Sequence, residues 1–185
     1  IFSFACLGKK TQDLKYQGGE GPVQIGRGTT IREYVTVHMP TAPDGLTRIG
    51  ENCHILAYSH IAHDCLLGDH IIMSNGTNLA GHVIVEDRVV FGGLCGVHQF
   101  GRVGTMAMIG AMCKVAQDIL PYALVDGNPG VPRSINKIGM KRNGLGDDVI
   151  RDVMTAFRLL FRSGLTQEEA LAEIGESCAK GPEID

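Results

Sequence analysis

Residues 57–65 read Ala-Tyr-Ser-His-Ile-Ala-His-Asp-Cys, and four of these side chains could do chemistry. His60 and His63 are three residues apart, and Asp64 and Cys65 follow the second histidine directly. An imidazole suits both zinc binding and general base catalysis near neutral pH, whereas a cysteine thiolate is a nucleophile. The stretch by itself therefore leaves three chemistries open: a metal site, a catalytic base and a cysteine nucleophile.

A repeat of six residues surrounds this stretch and predicts how its side chains are positioned. Every sixth residue from Ile49 to Val115 is apolar, twelve times in succession. Four places further along each hexad, ten of twelve residues are small or compact, and only Ile71 and Ile119 are larger. An α-helix would show a period near 3.6 and an ordinary strand a period of two. One large and one small position every six residues is typical of hexapeptide parallel β-helices.

The hexads predict the domain organisation. We expect a parallel β-helix over residues 1–121, with a loop insertion near residues 39–48, and a C-terminal extension with α-helices over residues 122–185. The first residues already follow the hexad pattern, so we expect N-terminal coils of the natural protein to be missing. In the tail, Asp147-Asp148 precedes one helical pattern, and Thr166 with Glu169 forms a capping box before another. The predicted fold class is all-β with an α-helical tail.

The coil arithmetic brings distant polar residues together. Three hexads make one coil of 18 residues, so Asp64 should stack beneath His82, and His63 beneath Gly81 and then Gln99. These residues avoid the inward apolar and small positions of their hexads, so we expect them to share an outer face. There His63 could act as a general base that Asp64 orients, and the N–H of Gly81 could bind a developing oxyanion. This arrangement favours acyl transfer.

Composition and residue positions argue against several other classes of function. Cys65 falls on a small inward position, and a buried structural thiol is inert. The net charge of −3 gives no indication of a nucleic-acid or anionic-membrane partner. The chain contains no apolar run long enough to cross a bilayer. The six cysteines are interpreted as reduced packing residues of a cytoplasmic protein.

Several segments together resemble one known family. They are Gln12-Asp13-Leu14-Lys15-Tyr16, His60-Ile61-Ala62-His63-Asp64-Cys65, Leu79-Ala80-Gly81-His82-Val83, Val97-His98-Gln99-Phe100 and Gly127-Asn128-Pro129. The sequence resembles the acyl-carrier-protein-dependent UDP-N-acetylglucosamine O-acyltransferases, which begin lipid A biosynthesis in Gram-negative bacteria. The resemblance implies a homotrimer of left-handed parallel β-helices with active sites between neighbouring prisms. It also implies transfer of a 3-hydroxyacyl group from acyl carrier protein to the sugar 3-hydroxyl, with no metal and no dissociable cofactor.

The resemblance also implies roles for individual residues. His63 is the general base, Asp64 its orienting partner and Gly81 the oxyanion donor. The expected substrate-binding residues are Asp13, His60, His82 and Gln99 at the glucosamine, Gln12 and Lys15 near the acyl chain, and Asn136 and Arg142 near the nucleotide. Ala111 takes the place of the acyl-length ruler, where the family often has glycine, so its methyl group is expected to shorten the groove. Two positions depart from the family: Asn143 replaces a second arginine and Ile138 replaces a glutamate.

Alternatives remain open at this point. One is another hexapeptide-repeat transferase, either an acetyl-CoA-dependent acetyltransferase or the lipid A N-acyltransferase, although the Gln-Asp-Leu-Lys-Tyr segment argues against both. Another is a carbonic-anhydrase-like metal protein. For His38 and His98 a structural role or a subunit contact is the alternative to catalysis, and Lys15 could be a solvated surface charge. The basic tail could dock acidic acyl carrier protein or present a solvated helix face.

Overall fold

Short strands wind around the three faces of a prism. The computed structural model of the protein describes residues 1–179, 181, 183 and 184. The first face contains β1 Cys6–Lys9, β4 Thr36–His38, β7 His60–Ile61, β10 Asn78–Leu79, β13 Gly96–Val97 and β16 Lys114–Val115. The second contains β2 Val23–Ile25, β5 Thr47–Ile49, β8 Leu66–Leu67, β11 Ile84–Val85 and β14 Arg102–Val103. The third contains β3 Thr30–Ile31, β6 His54–Ile55, β9 Ile72–Met73, β12 Val90–Phe91, β15 Met108–Ile109, β17 Ala123–Asp126 and β18 Val131–Ile135.

The strand register follows the predicted coil length. Asn78 pairs with His60 in one direction and with Gly96 in the other, in parallel, so each partner is 18 residues away. Thr36 instead pairs with His60, 24 residues later, because the insertion after β4 adds six residues to that coil. The predicted fold class, a left-handed parallel β-helix followed by a helical tail, is confirmed.

The interior of the prism is filled by the repeating apolar position. All twelve residues of the series from Ile49 to Val115 are at most 3% exposed. The small position is also buried throughout the same coils except at Gly101, which is half-buried. The six cysteines are free thiols, and four of them occupy this small position. Two-residue strands offer little local stability, so the stacked interior must hold the coils in register.

The corners of the prism have a regular backbone. Nearly every sixth residue adopts a positive φ, including Asp64 at 59° and His82 at 61°. Such left-handed residues turn the chain sharply from one face to the next. They form three columns, which we call edge 1 (Asp64, His82, Phe100), edge 2 (His70, Arg88, Met106) and edge 3 (Phe4, Tyr34, Tyr58, Gly76, Leu94, Met112). Edge 1 lies between the first and second faces, edge 2 between the second and third, and edge 3 between the third and first.

The tail packs against the last coils of the β-helix, where Met106 and Tyr122 meet the buried side chains of its helices. Strand β17 pairs in parallel with β15 and then antiparallel with β18, so the sheet extends beyond residue 121, where the sequence placed the boundary. Three helices follow: α1 Lys137–Arg142, α2 Asp147–Arg162 and α3 Gln167–Ser177. The predicted capping box at the start of α3 is confirmed, because Thr166 and Glu169 cap one another reciprocally. Of the helices in the described part of the chain, none combines the length and apolar character that a membrane crossing requires.

Candidate active site

The centre of the site is a histidine–aspartate pair on edge 1. Nδ1 of His63 lies 2.9 Å from Oδ2 of Asp64, and the two side chains are only 14% and 12% exposed. Burial by itself would raise the pKa of Asp64, but hydrogen bonds from His63 and Thr41 and the charge of His82 lower it overall. An ionised carboxylate can only accept hydrogen bonds, so Nδ1 of His63 carries the proton and Nε2 is left as the proton acceptor.

Gly81 lies directly against the imidazole of His63, one coil further along. A Cβ built on Gly81 would overlap Cε1 and Nε2 of the ring and would lie 3.0 Å from Nδ1. Glycine is therefore required for the ring to occupy this position. The carbonyl of Gly81 accepts a hydrogen bond from the next coil, whereas its N–H has no acceptor among residues 1–179. The structure thus brings the His63 imidazole and the N–H of Gly81 together, and their roles as base and oxyanion donor remain predictions.

His82 completes the cluster on the next coil. Its Nε2 lies 3.7 Å from Oδ2 of Asp64, its ring meets His63 edge-on at 5.1 Å, and Phe100 stacks on its other side at 4.8 Å. His63, Asp64 and His82 are close enough together to be considered as metal ligands. However, Oδ2 of Asp64 already accepts hydrogen bonds from the Thr41 amide, the Thr41 hydroxyl and His63. A metal bound through Oδ2 would compete with these three donors, so the geometry favours a base over a metal site.

The insertion loop, residues 39–46, covers Asp64. The amide and hydroxyl of Thr41 donate to Oδ2 of Asp64 at 3.0 and 2.8 Å. A Cβ on Gly45 would lie 2.9 Å from Oδ1 of the same carboxylate, so the loop backbone approaches it closely. The N–H of Asp64 in turn donates to the Thr47 hydroxyl at 2.9 Å. Sequence reasoning missed Thr41 and Thr47; the available signal was the interruption of the hexads just before Thr47.

Two further histidines lie behind the pair on the first face. Nδ1 of His60 lies 2.7 Å from the Thr36 hydroxyl, and the His38 ring meets the His60 ring edge-on at 4.8 Å. Burial and the neighbouring charges of His38 and His63 lower the pKa of His60 to about 4. The pKa of His38 is also lowered, by burial and then by His63. Both imidazoles are therefore neutral at physiological pH. His38 is only 7% exposed, and its Nδ1 has no hydrogen-bond partner within the described residues.

The predicted sugar and acyl contacts occupy two places. Gln99 lies at edge 1 beside Phe100, and the Gln99 side chain is exposed. The N–H of Phe100 donates to the carbonyl of Gly81. Gln12, Asp13 and Lys15 lie in the long connection between β1 and β2. Asp13 accepts a hydrogen bond from the amide of Lys15 at 2.8 Å, which fixes a tight turn. Within the described residues, none of these three side chains forms a hydrogen bond with His63.

The remaining predicted residues lie away from edge 1. Asn136 is buried at edge 2, where Nδ2 donates to the Met106 carbonyl and Oδ1 accepts from the Gly139 amide at the start of α1. Its side chain thus already serves as a helix cap, so contact with the nucleotide remains a prediction. Arg142 is exposed at the end of α1. Ala111 is exposed at edge 3 next to Met112.

Cys65 does not take part in this arrangement. It is fully buried, its thiol donates to the Ala80 carbonyl at 3.1 Å, and burial raises its pKa to about 12. The thiolate required for nucleophilic attack is therefore not accessible near neutral pH.

Known proteins are similar to this chain in sequence and in fold. Residues 118–185 match the family model described as UDP N-acetylglucosamine O-acyltransferase, domain 2, and residues 46–81 match the bacterial transferase hexapeptide repeat. An acyl-[acyl-carrier-protein]–UDP-N-acetylglucosamine O-acyltransferase of Verminephrobacter eiseniae is 45% identical over 184 residues, covering 99% of this chain and 70% of that protein. The chain belongs to the UDP-N-acetylglucosamine O-acyltransferase family.

Solved members of this acyltransferase family have the same architecture. The UDP-N-acetylglucosamine acyltransferase of Bacteroides fragilis superposes with a TM-score of 0.96 at 36% identity, covering all of this chain and 72% of the other. That of Campylobacter jejuni has a TM-score of 0.89 at 40% identity, with coverages of 100% and 71%. The Synechocystis acyltransferase is 42% identical over 179 residues, but the chain spans only 65% of its length.

Proposed function

We propose that this chain transfers a 3-hydroxyacyl group from acyl carrier protein to the 3-hydroxyl of UDP-N-acetylglucosamine, the first step of lipid A biosynthesis. The observation that carries the proposal is the His63–Asp64 pair beside the N–H of Gly81. Relatives that are 41–45% identical are named for an acyl carrier protein and UDP-N-acetylglucosamine, which supports the choice of donor and acceptor.

The proposed chemistry uses three groups of the chain. Nε2 of His63 takes the proton from the sugar hydroxyl while Nδ1 donates to Asp64, which stabilises the imidazolium that forms. The hydroxyl oxygen attacks the thioester carbonyl, and the N–H of Gly81 stabilises the resulting oxyanion. The carbon–sulfur bond then breaks, and His63 returns the proton to the departing thiolate. The hydroxyl proton thus ends on the carrier thiol, and the reaction needs no cofactor beyond the pantetheine of the donor.

The distribution of substrate-binding residues supports a homotrimer. The base lies on edge 1, Asn136 at edge 2 and Ala111 on edge 3, so one prism cannot direct all of them at a single substrate. A neighbouring prism that packs against edge 1 would supply the missing contacts. Edge 3 is suited to such packing because it is lined by exposed apolar side chains. These are Phe4, Tyr34, Tyr58, Leu94 and Met112, which are 45–73% exposed.

The proposal also includes docking of the donor protein and the compartment in which the reaction takes place. The basic residues of α1 and α2 give acidic acyl carrier protein a surface of opposite charge. Six free thiols support a cytoplasmic location, where cysteines are kept reduced.

The test is mass spectrometry of reactions that contain the purified protein, UDP-N-acetylglucosamine and a panel of 3-hydroxyacyl carrier proteins. We expect one dominant acylated nucleotide sugar, and a rate at least about 100-fold lower for His63→Ala. The matched control is His54→Ala, which removes an exposed imidazole from the third face. Absence of product with every donor, or full activity of His63→Ala, would refute the proposal. Reactions with acetyl-CoA as the donor, and reactions with the 3-O-acylated, deacetylated sugar nucleotide as the acceptor, would separate the two rival transferase activities.

A further inference from the structure

The carboxylate of Asp64 is held mainly by a residue outside the hexads. Thr41 lies in the insertion loop, 23 residues earlier in the chain, and donates to Oδ2 through both its amide and its hydroxyl. His63 donates to the same oxygen, so two of its three close donors come from Thr41.

These donors act against a cost of burial. The Asp64 side chain is only 12% exposed, and desolvation disfavours a charged carboxylate. The titratable groups that face Asp64 are His63 and His82 on edge 1 and the buried thiol of Cys65. The insertion loop contributes the two uncharged donors of Thr41. Because hydrogen bonds to the charged form favour it, the loop helps Asp64 to remain ionised.

We propose that Thr41 is a positioning residue for acyl transfer, which holds the Asp64 carboxylate charged and aimed at Nδ1 of His63. The inference rests on the proposed function of His63 as base. It goes beyond that function because it assigns to the insertion loop the task of fixing the ring's tautomer and direction. Without a fixed acceptor at Nδ1, the imidazole could carry its proton on Nε2, the nitrogen that must accept the substrate proton.

The insertion loop is itself braced by the segment that contains Gln12, Asp13 and Lys15. The Tyr16 hydroxyl lies 3.8 Å from the Met39 sulfur, and a Cβ on Gly21 would lie 2.8 Å from the Ala42 carbonyl oxygen. The predicted sugar-binding segment and the support of the base therefore share one packed unit. Thr41 joins this unit to edge 1.

The test compares three variants of the full chain. Thr41→Val removes the hydroxyl but keeps the shape and the amide, and Thr41→Ser restores a hydroxyl donor. Thr105→Val is the matched control, because the Thr105 amide and hydroxyl both donate to Oε2 of Glu86 at 2.9 Å, away from edge 1. Removal of a donor to a charged acceptor in Thr41→Val should lower kcat about tenfold and change KM less than about twofold.

The pH profile separates positioning from general destabilisation. Loss of the Thr41 hydroxyl makes the Asp64 carboxylate more basic, and Asp64 is coupled to the base by its 2.9 Å hydrogen bond to Nδ1 of His63. Through this coupling the acid limb of kcat/KM should move to higher pH in Thr41→Val and return in Thr41→Ser. Thr105→Val should leave kcat and the acid limb unchanged, even if its unfolding midpoint falls. The proposal is overturned if Thr41→Val keeps the wild-type acid limb and kcat. It is also overturned if Thr105→Val loses as much activity as Thr41→Val.

A measurement without substrate distinguishes failure of this inference from failure of the proposed function. The carboxyl carbon of Asp64, observed by NMR in labelled protein, reports its ionisation directly, and the Nδ1–H of His63 reports the tautomer. Thr41→Val should shift the Asp64 titration to higher pH and weaken the Nδ1–H signal. If wild-type protein acylates no sugar, the proposed function fails, while these spectra still decide the role of Thr41. Identical spectra for wild type and Thr41→Val would overturn that role.

Discussion

The contact between Gly81 and His63 makes Gly81→Ala the sharpest test of the site. The new methyl group would overlap Cε1 and Nε2 of the imidazole and lie 3.0 Å from Nδ1. Ordinary contacts between carbon atoms are near 3.5–4.0 Å, so the ring must retreat by roughly 1 Å. Asp64 holds the ring through Nδ1 at 2.9 Å, and His82 lies beside it, so the retreat must disturb the hydrogen bond or turn Nε2 away.

The size of the effect follows from this displacement. A misplacement of about 1 Å at a reacting group costs about 100-fold in rate, and loss of a general base costs about 10²–10⁴-fold. We therefore expect kcat of Gly81→Ala to fall at least about 100-fold, with a smaller change in KM. The backbone N–H remains in the variant, so the loss reports the imidazole rather than a deleted oxyanion donor. The free energy of unfolding should fall by only about 1 kcal/mol, at the low end for overpacking, because the site is near the surface.

The assay compares Gly81→Ala with Gly96→Ala in initial-rate kinetics and urea denaturation. Gly96 lies on the same face, in β13, and a Cβ there would meet no atom within 4 Å. Gly96→Ala should keep wild-type kcat. The double variant Gly81→Ala/His63→Ala should be no slower than His63→Ala alone, because both changes act on one ring. Near-wild-type kcat for Gly81→Ala, or fully additive losses in the double variant, would refute the reasoning.

Three further predictions concern stability and specificity. Because the pKa of His60 is about 4 in the folded protein and near 6.5 in an unfolded chain, the unfolded state binds more protons between these values. The free energy of unfolding should therefore fall as pH decreases from about 6.5 to 4, and it should fall less in His60→Gln. Urea denaturation at several pH values measures this, and an equal pH dependence of the unfolding free energy in wild type and His60→Gln would contradict it. Asn136→Ala removes the cap of α1 and the bond to the Met106 carbonyl, and should cost about 1–3 kcal/mol by urea denaturation. Asn143 is exposed, so Asn143→Ala serves as the control and should lower the free energy of unfolding by about 0.5 kcal/mol or less. A smaller loss for Asn136→Ala than for Asn143→Ala would argue against the cap. If Ala111 is the acyl-length ruler, Ala111→Gly should shift the preferred donor to longer chains and Ala111→Leu to shorter ones. An unchanged product distribution by mass spectrometry would remove Ala111 from that role.

The fold was predictable because its information is local and repeated. The same pattern in every hexad determines which residue faces inward, and each coil pairs only with its neighbours in the stack. The series from Ile49 to Val115 is buried as predicted, and Asp64 and His82 stack on edge 1 as the 18-residue coil requires. The capping box at Thr166 could be predicted because it is also local: its two partners, Thr166 and Glu169, are three residues apart.

The sequence by itself determined the repeat, the faces of the prism and the alignment of His63, Asp64, Gly81 and His82. Only the tertiary structure decided the path of the insertion loop, which has no repeat to fix it and is set by contacts with residues far along the chain. That path turns Asp64 from an outward polar residue into a largely covered carboxylate held by Thr41. The structure also shows that the Asn136 side chain caps α1. The sequence could not show its bond to the Met106 carbonyl, because the two residues meet only when the tail folds back onto edge 2. Local periodicity thus specified the scaffold, whereas non-local packing set the electrostatic environment of the base.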